Sequence, residues 1–140
     1  MKIGIKVSEA MNKNPVIISP NKLLPFCARK MLGNNIGGIL VGEKGKLLGI
    51  VTEKDIVEEV VAKELNAQKT KVKEIMSSSM ITISPEVDIS EAIEIMNRED
   101  VRRLPVIKNK KLVGILTQKD LLKLNKPELH KTITRSWIKK

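Results

Sequence analysis

Two copies of one short motif hold the side chains in this chain that are best suited to chemistry. Thr52 and Asp55 follow a run of apolar residues, and Thr117 and Asp120 do the same 65 residues later. A threonine followed three residues on by a carboxylate is a common helix start, with the threonine as N-cap. The same arrangement suits ligand binding, because a helix N-terminus attracts anions. The motif by itself supports both interpretations.

The binding interpretation gives each side chain a separate role. The carboxylate of Asp55 or Asp120 offers two acceptor oxygens to the adjacent hydroxyls of a ribose. A phosphate avoids that negative charge and is drawn to the threonine and to the nearby lysine, which is Lys54 or Lys119. A ribose beside a phosphate defines a nucleotide, so this interpretation predicts a nucleotide site.

Both motifs lie in an internal repeat. Residues 7–57 align without a gap with residues 72–122, and 15 of the 51 positions are identical, where composition alone gives roughly three. One structural unit is therefore used twice. We expect a first repeat at 1–68, a second at 69–124 and a basic C-terminal tail at 125–140.

Each repeat has the pattern strand, helix, strand, strand, helix. Short apolar runs at 16–18 and 81–83 predict strands, and each is stopped by a Ser-Pro pair. Apolar residues spaced i, i+3, i+4, i+7 then predict an amphipathic helix in each repeat. They are Leu24, Cys27, Ala28 and Met31 in the first repeat, and Ile89, Ala92, Ile93 and Met96 in the second. Pro25 fits only the first turn of its helix, and Asp88 is the expected cap of the other.

The remaining elements of each repeat are a hairpin and a second helix. Strands are predicted at 39–41 and 47–51, and again at 104–107 and 112–116, with short turns between them. The second helices start at the motif threonines, and the first of them is expected to reach about Leu65. A unit of about 60 residues has a marginal core. We therefore expect an α/β (α+β) fold in which two tandem β-α-β-β-α repeats pack as a pseudo-twofold pair.

Composition and charge limit the classes of protein to which this chain can belong. The 26 basic and 16 acidic residues give a net charge of +10, which favours anionic partners. A single cysteine, Cys27, excludes an internal disulfide, and a single histidine, His130, cannot assemble a metal cage, so no metal is expected. The sequence shows neither the apolar core of a secretory signal nor a span of about 20 apolar residues. We expect a soluble, cytoplasmic protein without membrane association.

The motif regions resemble a known family. Residues 49–55, Gly-Ile-Val-Thr-Glu-Lys-Asp, and 114–120, Gly-Ile-Leu-Thr-Gln-Lys-Asp, are similar to the Gly-h-h-Thr-x-x-Asp signature of CBS domains, where h is apolar. Residues 101–106, Val-Arg-Arg-Leu-Pro-Val, resemble the segment before the hairpin in that family. The resemblance covers roughly 7–65 and 72–124, and the tandem arrangement is that of a CBS domain pair, or Bateman module.

The resemblance implies further site residues. In CBS domains the base of the ligand lies in an apolar slot between the first strand and the residues before the hairpin. The positions that match this slot are Ile17, Ile18 and Ile36 to Ile39 in the first repeat, and Thr82, Ile83 and Val101 to Pro105 in the second, where the ranges include Gly38 and Leu104. Arg103 matches a basic position often turned toward phosphate. Gly38 stands at the equivalent place in the first repeat, so we expect two unequal sites.

The resemblance also implies a ligand class and a mode of assembly. The expected ligand is AMP, ADP, ATP or S-adenosylmethionine, and the expected role is regulation in response to energy or metabolite levels. Output is expected to pass to a protein target or through the interface of a homodimer. The helix residues expected at that interface are Ile56, Val57, Val60, Val61, Leu121 and Leu122.

Two other function classes stay open. An enzyme is disfavoured, because no histidine is near either motif and Cys27 lies on an apolar helix face. Nucleic-acid binding is the stronger alternative, because residues 123–140 carry five Lys and one Arg against one Glu. Phe26 and Trp137 are the only aromatic residues that could stack on bases. Such binding would therefore be weakly specific.

Overall fold

A computed structural model describes residues 2–127 together with Leu129 and Trp137. The chain divides into two compact units. The first-repeat unit is Pro15–Met80, and the second-repeat unit combines the N-terminal segment up to Asn14 with Ile81 and the residues after it. Each unit therefore contains the segment that precedes the other repeat in sequence. Most of the predicted tail, including His130 and Arg135, lies outside the described residues.

The first-repeat unit is built on a three-stranded sheet. Its strands are β1 (Ile17–Ile18), β2 (Gly38–Glu43) and β3 (Lys46–Thr52), in the order β1-β2-β3. β1 pairs in parallel with β2, and β2 pairs antiparallel with β3 across a short turn. The turn places Lys44 and Gly45 at positive φ, as tight hairpin turns require.

The second-repeat unit has a two-stranded sheet of β4 (Arg103–Lys108) and β5 (Lys111–Thr117). The strand predicted at 81–83 is reduced to one parallel bridge between Ile83 and Val106. The cause is Pro105, which occupies the position of Leu40 in the first repeat. Proline has no N–H to donate toward residue 81, so the parallel ladder stops after a single residue.

Amphipathic helices cover one side of each sheet. α2 (Leu24–Gly33) has Pro25 in its first turn, and α5 (Ile89–Glu99) has Asp88 as its N-cap. The predicted apolar stripes pack into the two cores, with Leu24, Cys27 and Met31 buried in one and all four stripe residues of α5 buried in the other. The spacing of apolar residues therefore predicted these helices and their inward faces correctly.

The helices after the motif threonines are shorter than expected. α3 (Glu53–Ile56) continues only into a π-helical turn at Val57–Val61, and α6 is Gln118–Leu122. The helical segment ends at Val61, and Glu64 then adopts a positive φ. Val60 and Leu121, expected at a dimer interface, are instead buried within their own units, whereas Val57, Val61 and Leu122 are exposed.

Short segments complete each unit. α1 (Val7–Ala10) belongs to the second-repeat unit, where the amide of Val7 donates to the carbonyl of Val87 at 2.9 Å. α4 (Val72–Ile75) belongs to the first-repeat unit, where the amide of Val72 donates to the carbonyl of Lys22 at 2.8 Å. Val7 and Val72 are fully buried, so each repeat depends on the other repeat's leading segment for part of its core.

Candidate functional site

Both Thr-x-x-Asp motifs form a complete capping box. In the first-repeat unit the Thr52 amide donates to Oδ2 of Asp55 at 2.8 Å, and the Asp55 amide donates to Oγ1 of Thr52 at 3.2 Å. Thr117 and Asp120 repeat these bonds at 2.9 and 3.2 Å. The helix-start interpretation of the motif is therefore confirmed, and it applies equally to both copies.

The capping box leaves each motif able to bind a ligand through side chains. It uses Oδ2 of the aspartate, so Oδ1 can still accept from a hydroxyl. The threonine oxygen accepts from the backbone, so its own proton can still be donated to an anion. The amides of Thr52, Glu53 and Asp55 are all engaged within the unit. Any phosphate binding must therefore rely on hydroxyl, lysine and arginine side chains more than on a bare helix end.

A backbone bond ties each helix start to the entry of the hairpin. The Glu53 amide donates to the carbonyl of Gly37, and the Gln118 amide donates to the carbonyl of Arg102, both at 3.0 Å. In the strand register Gly38 lies opposite Thr52, and Arg103 lies opposite Thr117. The fold thus places each motif threonine beside the first residue of the preceding hairpin strand, which is Gly38 in β2 and Arg103 in β4.

The signature glycines have a role that the repeat alone did not reveal. A Cβ on Gly114 would lie 2.8 Å from the carbonyl oxygen of Asn12, and one on Gly49 would lie 2.9 Å from that of Ser77. Asn12 pairs with Ile115, and Ser77 pairs with Ile50, through antiparallel bridges. Each glycine therefore lets a short segment cross β3 or β5 just before the motif threonine. The only signal in the sequence was the invariance of glycine between the two repeats.

The residues proposed for the base slot differ in accessibility. Leu104 is fully buried in the core, and Gly38 and Pro105 are also buried. Ile17 is 38% exposed, Thr82 is exposed, and Ile36 and Val101 are half-buried. A base could contact this second group directly, whereas Leu104 can act only by supporting the strand.

The two motifs differ most in the charges around them. The first has Gly37, Gly38, Glu53, Lys54 and Glu58, a net charge of −1, and Lys54 Nζ lies 3.6 Å from Glu58 Oε1. The equivalent positions of the second are Arg102, Arg103, Gln118, Lys119 and Lys123, a net charge of +4. Sequence reasoning singled out Arg103 and Lys119 for phosphate, but it placed Arg102 only in the segment of the base slot and Lys123 only in the basic tail. Aligning the two repeats position by position shows that both replace uncharged or acidic residues of the first repeat, Gly37 and Glu58.

Asp88 has a structural role in the second-repeat unit. Its carboxylate accepts from the amide of Ser90 at 3.0 Å, as the N-cap of α5. It also accepts from the amides of Ile3 and Gly4 at 2.9 and 2.7 Å. Burial acts to raise the pKa of this carboxyl, but the hydrogen bonds from Ser90, Ile3 and Gly4 hold it well below its usual range. Asp88 therefore fastens the N-terminal segment while ionised.

Four further observations concern residues outside the two motifs. Cys27 is buried, and burial raises the pKa of its thiol, although Lys30 acts in the opposite direction. Within the described part of the chain, no cluster of three or more His, Cys, Asp or Glu is arranged to hold a metal ion. No helix among those residues is long and apolar enough to cross a membrane. Trp137 is largely buried, and its indole N–H donates to Oδ1 of Asn97 at 2.8 Å.

Comparison with known proteins identifies the family. The CBS domain model matches twice, at residues 7–62 and 72–126, so the chain belongs to the CBS domain family as a tandem pair. It is 33% identical over 115 residues to the CBS domain-containing protein YhcV of Bacillus subtilis, covering 82% of this chain and 81% of that one. Two archaeal relatives are longer, and the chain spans 67% and 66% of their lengths.

Solved structures show the same fold. The CBS domain protein PAE2072 from Pyrobaculum aerophilum, complexed with AMP, is 26% identical with a TM-score of 0.77, covering 86% of this chain and 93% of that one. The CBS domain pair of protein MJ0100, in complex with 5'-methylthioadenosine and S-adenosyl-L-methionine, is 25% identical with a TM-score of 0.75, covering 84% and 93%. The mixed α+β fold and its tandem repeat organisation are therefore confirmed.

Proposed function

We propose that this protein is a regulatory module that binds an adenosine nucleotide and has no catalytic activity of its own. The observation that carries the proposal is the second motif, where the strand register sets Thr117 opposite Arg103 and the capping box holds Asp120 at Thr117. This arrangement offers an acceptor for a ribose and cationic side chains for a phosphate. Two structural neighbours bind adenosine compounds, which supports the same ligand class.

The charge around each motif favours a phosphorylated ligand at the second one. Arg102, Arg103, Lys119 and Lys123 provide four positive charges there, whereas the first motif is surrounded by a net charge of −1. Phosphate is attracted by the former and repelled by the latter. We therefore propose that AMP, ADP or ATP binds the second motif more tightly, and that an uncharged adenosine moiety or S-adenosylmethionine is better suited to the first.

The apolar residues named for the base slot complete the proposed sites. Ile17 and Ile36 are accessible in the first-repeat unit, and Thr82 and Val101 are accessible in the second. A planar base packed on aliphatic side chains gains hydrophobic stabilisation without a charged contact. We assign the base to these accessible residues and give Leu104 and Pro105 a supporting role.

The proposed output is a change in how the module contacts another chain. Val57 and Val61 remain 58% and 67% exposed on the helix that follows the first motif, and Leu122 is 41% exposed on α6. Exposed aliphatic side chains on helices that begin at the ligand site suit a homodimer contact that ligand binding can alter. A separate protein target is the other route for the signal.

Isothermal titration calorimetry tests this function. AMP, ADP, ATP, S-adenosylmethionine, adenosine and inorganic phosphate are each titrated into the protein, and a single-stranded RNA and a duplex DNA are titrated at low and high salt. We expect an adenosine nucleotide to bind with an affinity that adenosine and phosphate do not reach separately. Binding of nucleic acid that survives high salt, without binding of any nucleotide, would instead support the nucleic-acid alternative.

A matched pair of variants assigns the binding to a motif. Asp55→Ala and Asp120→Ala remove the same capping carboxylate from equivalent helix starts, so both should lower stability to a similar extent. Only the variant at the occupied motif should lose nucleotide affinity. Equal affinity in both variants and in the wild-type protein would show that neither carboxylate holds the ribose.

A further inference from the structure

A basic surface, formed by residues 19–30 and 69–74, lies where the chain leading into α4 runs beside the start of α2. Leu23 pairs with Lys71 through an antiparallel bridge. Backbone hydrogen bonds of 2.8 to 3.0 Å around this bridge hold the two stretches together. Both stretches belong to the first-repeat unit, so cationic residues far apart in the sequence share one surface of that unit.

The charged side chains of the basic surface are exposed and predominantly positive. Lys69, Lys71 and Lys73 are exposed, whereas the two residues between them are buried, so the three lysines share the outer side of their segment. The whole surface contains five lysines and one arginine against one glutamate, a net charge of +5. Among the described residues, none of these six cations forms an ion pair with a carboxylate. Their charge is therefore available to an anionic partner.

The corresponding surface of the second-repeat unit has the opposite charge. Residues 84–95 and 4–9 hold the equivalent positions, and they contain five carboxylates against one lysine, a net charge of −4. That lysine is Lys6, and its ammonium lies 3.7 Å from Oε2 of Glu86. Since the same fold accepts an acidic surface at this place, the positive charge of the first-repeat unit is not required for folding. It indicates a separate role.

An exposed aromatic ring lies within the basic surface. Phe26 is 40% exposed, and the Lys22 ammonium is 4.7 Å from the centre of its ring. Trp137, the other aromatic residue of the chain, is largely buried. The second repeat has Glu91 in place of Phe26. An aromatic ring bordered by cations is a typical platform for single-stranded nucleic acid, because every unpaired base has a flat face that can stack on it.

We propose that the basic surface binds single-stranded nucleic acid, with backbone phosphates on its exposed lysines and one base stacked on Phe26. The lysines are Lys22, Lys69, Lys71 and Lys73. A single strand fits better than a duplex, because only an unstacked base can reach the ring. An anionic membrane fits less well, because the large apolar side chains exposed among these residues are only Phe26 and Leu23. None of these residues belongs to a Thr-x-x-Asp motif, so the proposal does not depend on nucleotide binding.

Fluorescence anisotropy with labelled oligonucleotides of about 12 nucleotides tests the proposal. Oligouridine and oligothymidine represent RNA and single-stranded DNA, and a duplex DNA of the same length is the comparison. Four phosphate contacts predict that the logarithm of the affinity falls against the logarithm of the salt concentration with a slope of about −3. At least one single strand should bind more tightly than the duplex. A wild-type protein that binds neither single strand at low salt, or that prefers the duplex to both, would overturn the proposal.

Two double variants that each remove two positive charges locate the binding surface. Lys71→Gln with Lys73→Gln should weaken single-strand binding at low salt by about tenfold or more, and should reduce the salt slope by about 1.4. Lys6→Gln with Lys108→Gln makes the same change in net charge on the second-repeat unit, where both lysines pair with Glu86. This control should stay within about threefold of the wild-type affinity. Equal losses in the two variants would show that only net charge matters and would overturn the assignment to the basic surface.

A third double variant distinguishes the basic surface from the C-terminal tail. Lys139→Gln with Lys140→Gln also removes two positive charges, and it should leave the affinity within about threefold of wild type. Circular dichroism checks that all three double variants are folded. Loss of binding in the tail variant, with wild-type binding in the variant of Lys71 and Lys73, would overturn the proposal.

Phe26→Leu separates base stacking from charge. The variant keeps an apolar side chain but loses the ring, so single strands should bind about fivefold or more weakly with an unchanged salt slope. Heparin is a polyanion without bases, and it should bind the variant as well as the wild-type protein. Oligonucleotide affinity that is unchanged in Phe26→Leu would overturn the stacking. Binding to phosphatidylserine vesicles without binding to either single strand would assign the basic surface to a membrane instead.

A competition experiment keeps this site separate from the proposed nucleotide site. AMP is added to the complex with the labelled strand at a concentration that saturates calorimetric binding. The strand should stay bound, because its contacts lie outside both motifs. Displacement of the strand by AMP would place the strand at a motif and overturn the assignment to the basic surface. If AMP shows no calorimetric binding, the nucleotide function fails, whereas the variants of Lys71, Lys73 and Phe26 still decide this proposal.

Discussion

Replacing Asp120 with alanine separates the structural and binding roles of the motif carboxylate. In the structure Oδ2 of Asp120 accepts from the Thr117 amide at 2.9 Å, so the variant loses one capping bond. Loss of this carboxylate from the first turn of the helix costs about 0.3–1 kcal/mol of stability. If Asp120 also holds a ribose, the variant loses charged hydrogen bonds worth about 1.5–3 kcal/mol. Nucleotide affinity should then fall by about ten- to a hundredfold.

Two measurements on the Asp120→Ala protein distinguish these effects. Thermal unfolding without ligand measures the capping loss, and Asp55→Ala is its control because the two capping boxes have nearly identical geometry. Calorimetry with AMP and with inorganic phosphate measures the binding loss. Phosphate alone should bind as well as before or slightly better, because a nearby negative charge is gone. Equal loss of AMP and phosphate, or loss of neither, would refute the assignment of Asp120 to the sugar.

Three further predictions follow from the described contacts. Arg103→Ala should weaken AMP and ATP by about tenfold while leaving adenosine unchanged, since it removes a charge-assisted phosphate contact; calorimetry in which adenosine weakens as much as AMP would contradict this. Gly114→Ala should lower the free energy of unfolding by about 1–3 kcal/mol, because its Cβ would lie 2.8 Å from the Asn12 carbonyl oxygen. Gly33→Ala is the control, with nothing within 4 Å of the added Cβ. Denaturant unfolding that gives the two variants equal stability would show that the segment around Asn12 can move aside at little cost. Asp88→Ala should lower the melting temperature at neutral pH. The ionised Asp88 carboxylate, whose pKa is held below its usual range, stabilises the fold above about pH 4. This contribution is lost as the pH falls through the lowered pKa, so the melting temperatures of variant and wild type should converge in acid. A difference in melting temperature that is constant with pH would exclude the ionised carboxylate as the cause.

Local patterns in the sequence predicted most of the helices and strands. The spacing of apolar residues in α2 and α5 and the turn between β2 and β3 depend on neighbours close along the chain, and the structure confirms each of them. The capping boxes at Thr52 and Thr117 were predictable for the same reason, because all the bonding partners lie within three residues.

Contacts between distant segments could not be read from those patterns. Pairing of Asn12 with Ile115 and of Ser77 with Ile50 places each leading segment in the unit of the other repeat. Many short apolar segments could cover either sheet, so only the complete tertiary packing selects this exchange, and it also explains the glycine of each signature. The shortened strand at 81–83 has a similar origin. Pro105 never has an N–H, but its absence interrupts a strand pair only because the fold places the segment around Ile83 beside Pro105.

For this protein, the sequence alone determined that one type of unit, resembling a CBS domain, is used twice, because periodicity, capping residues and signature motifs are local chemical properties. The tertiary structure decided which side chains are available for binding. Leu104 and Val60 have the same apolar character as Val101 and Val57, but packing buries the first pair and leaves the second accessible. Burial depends on every neighbouring element at once, and for this reason it had to be read from the folded chain.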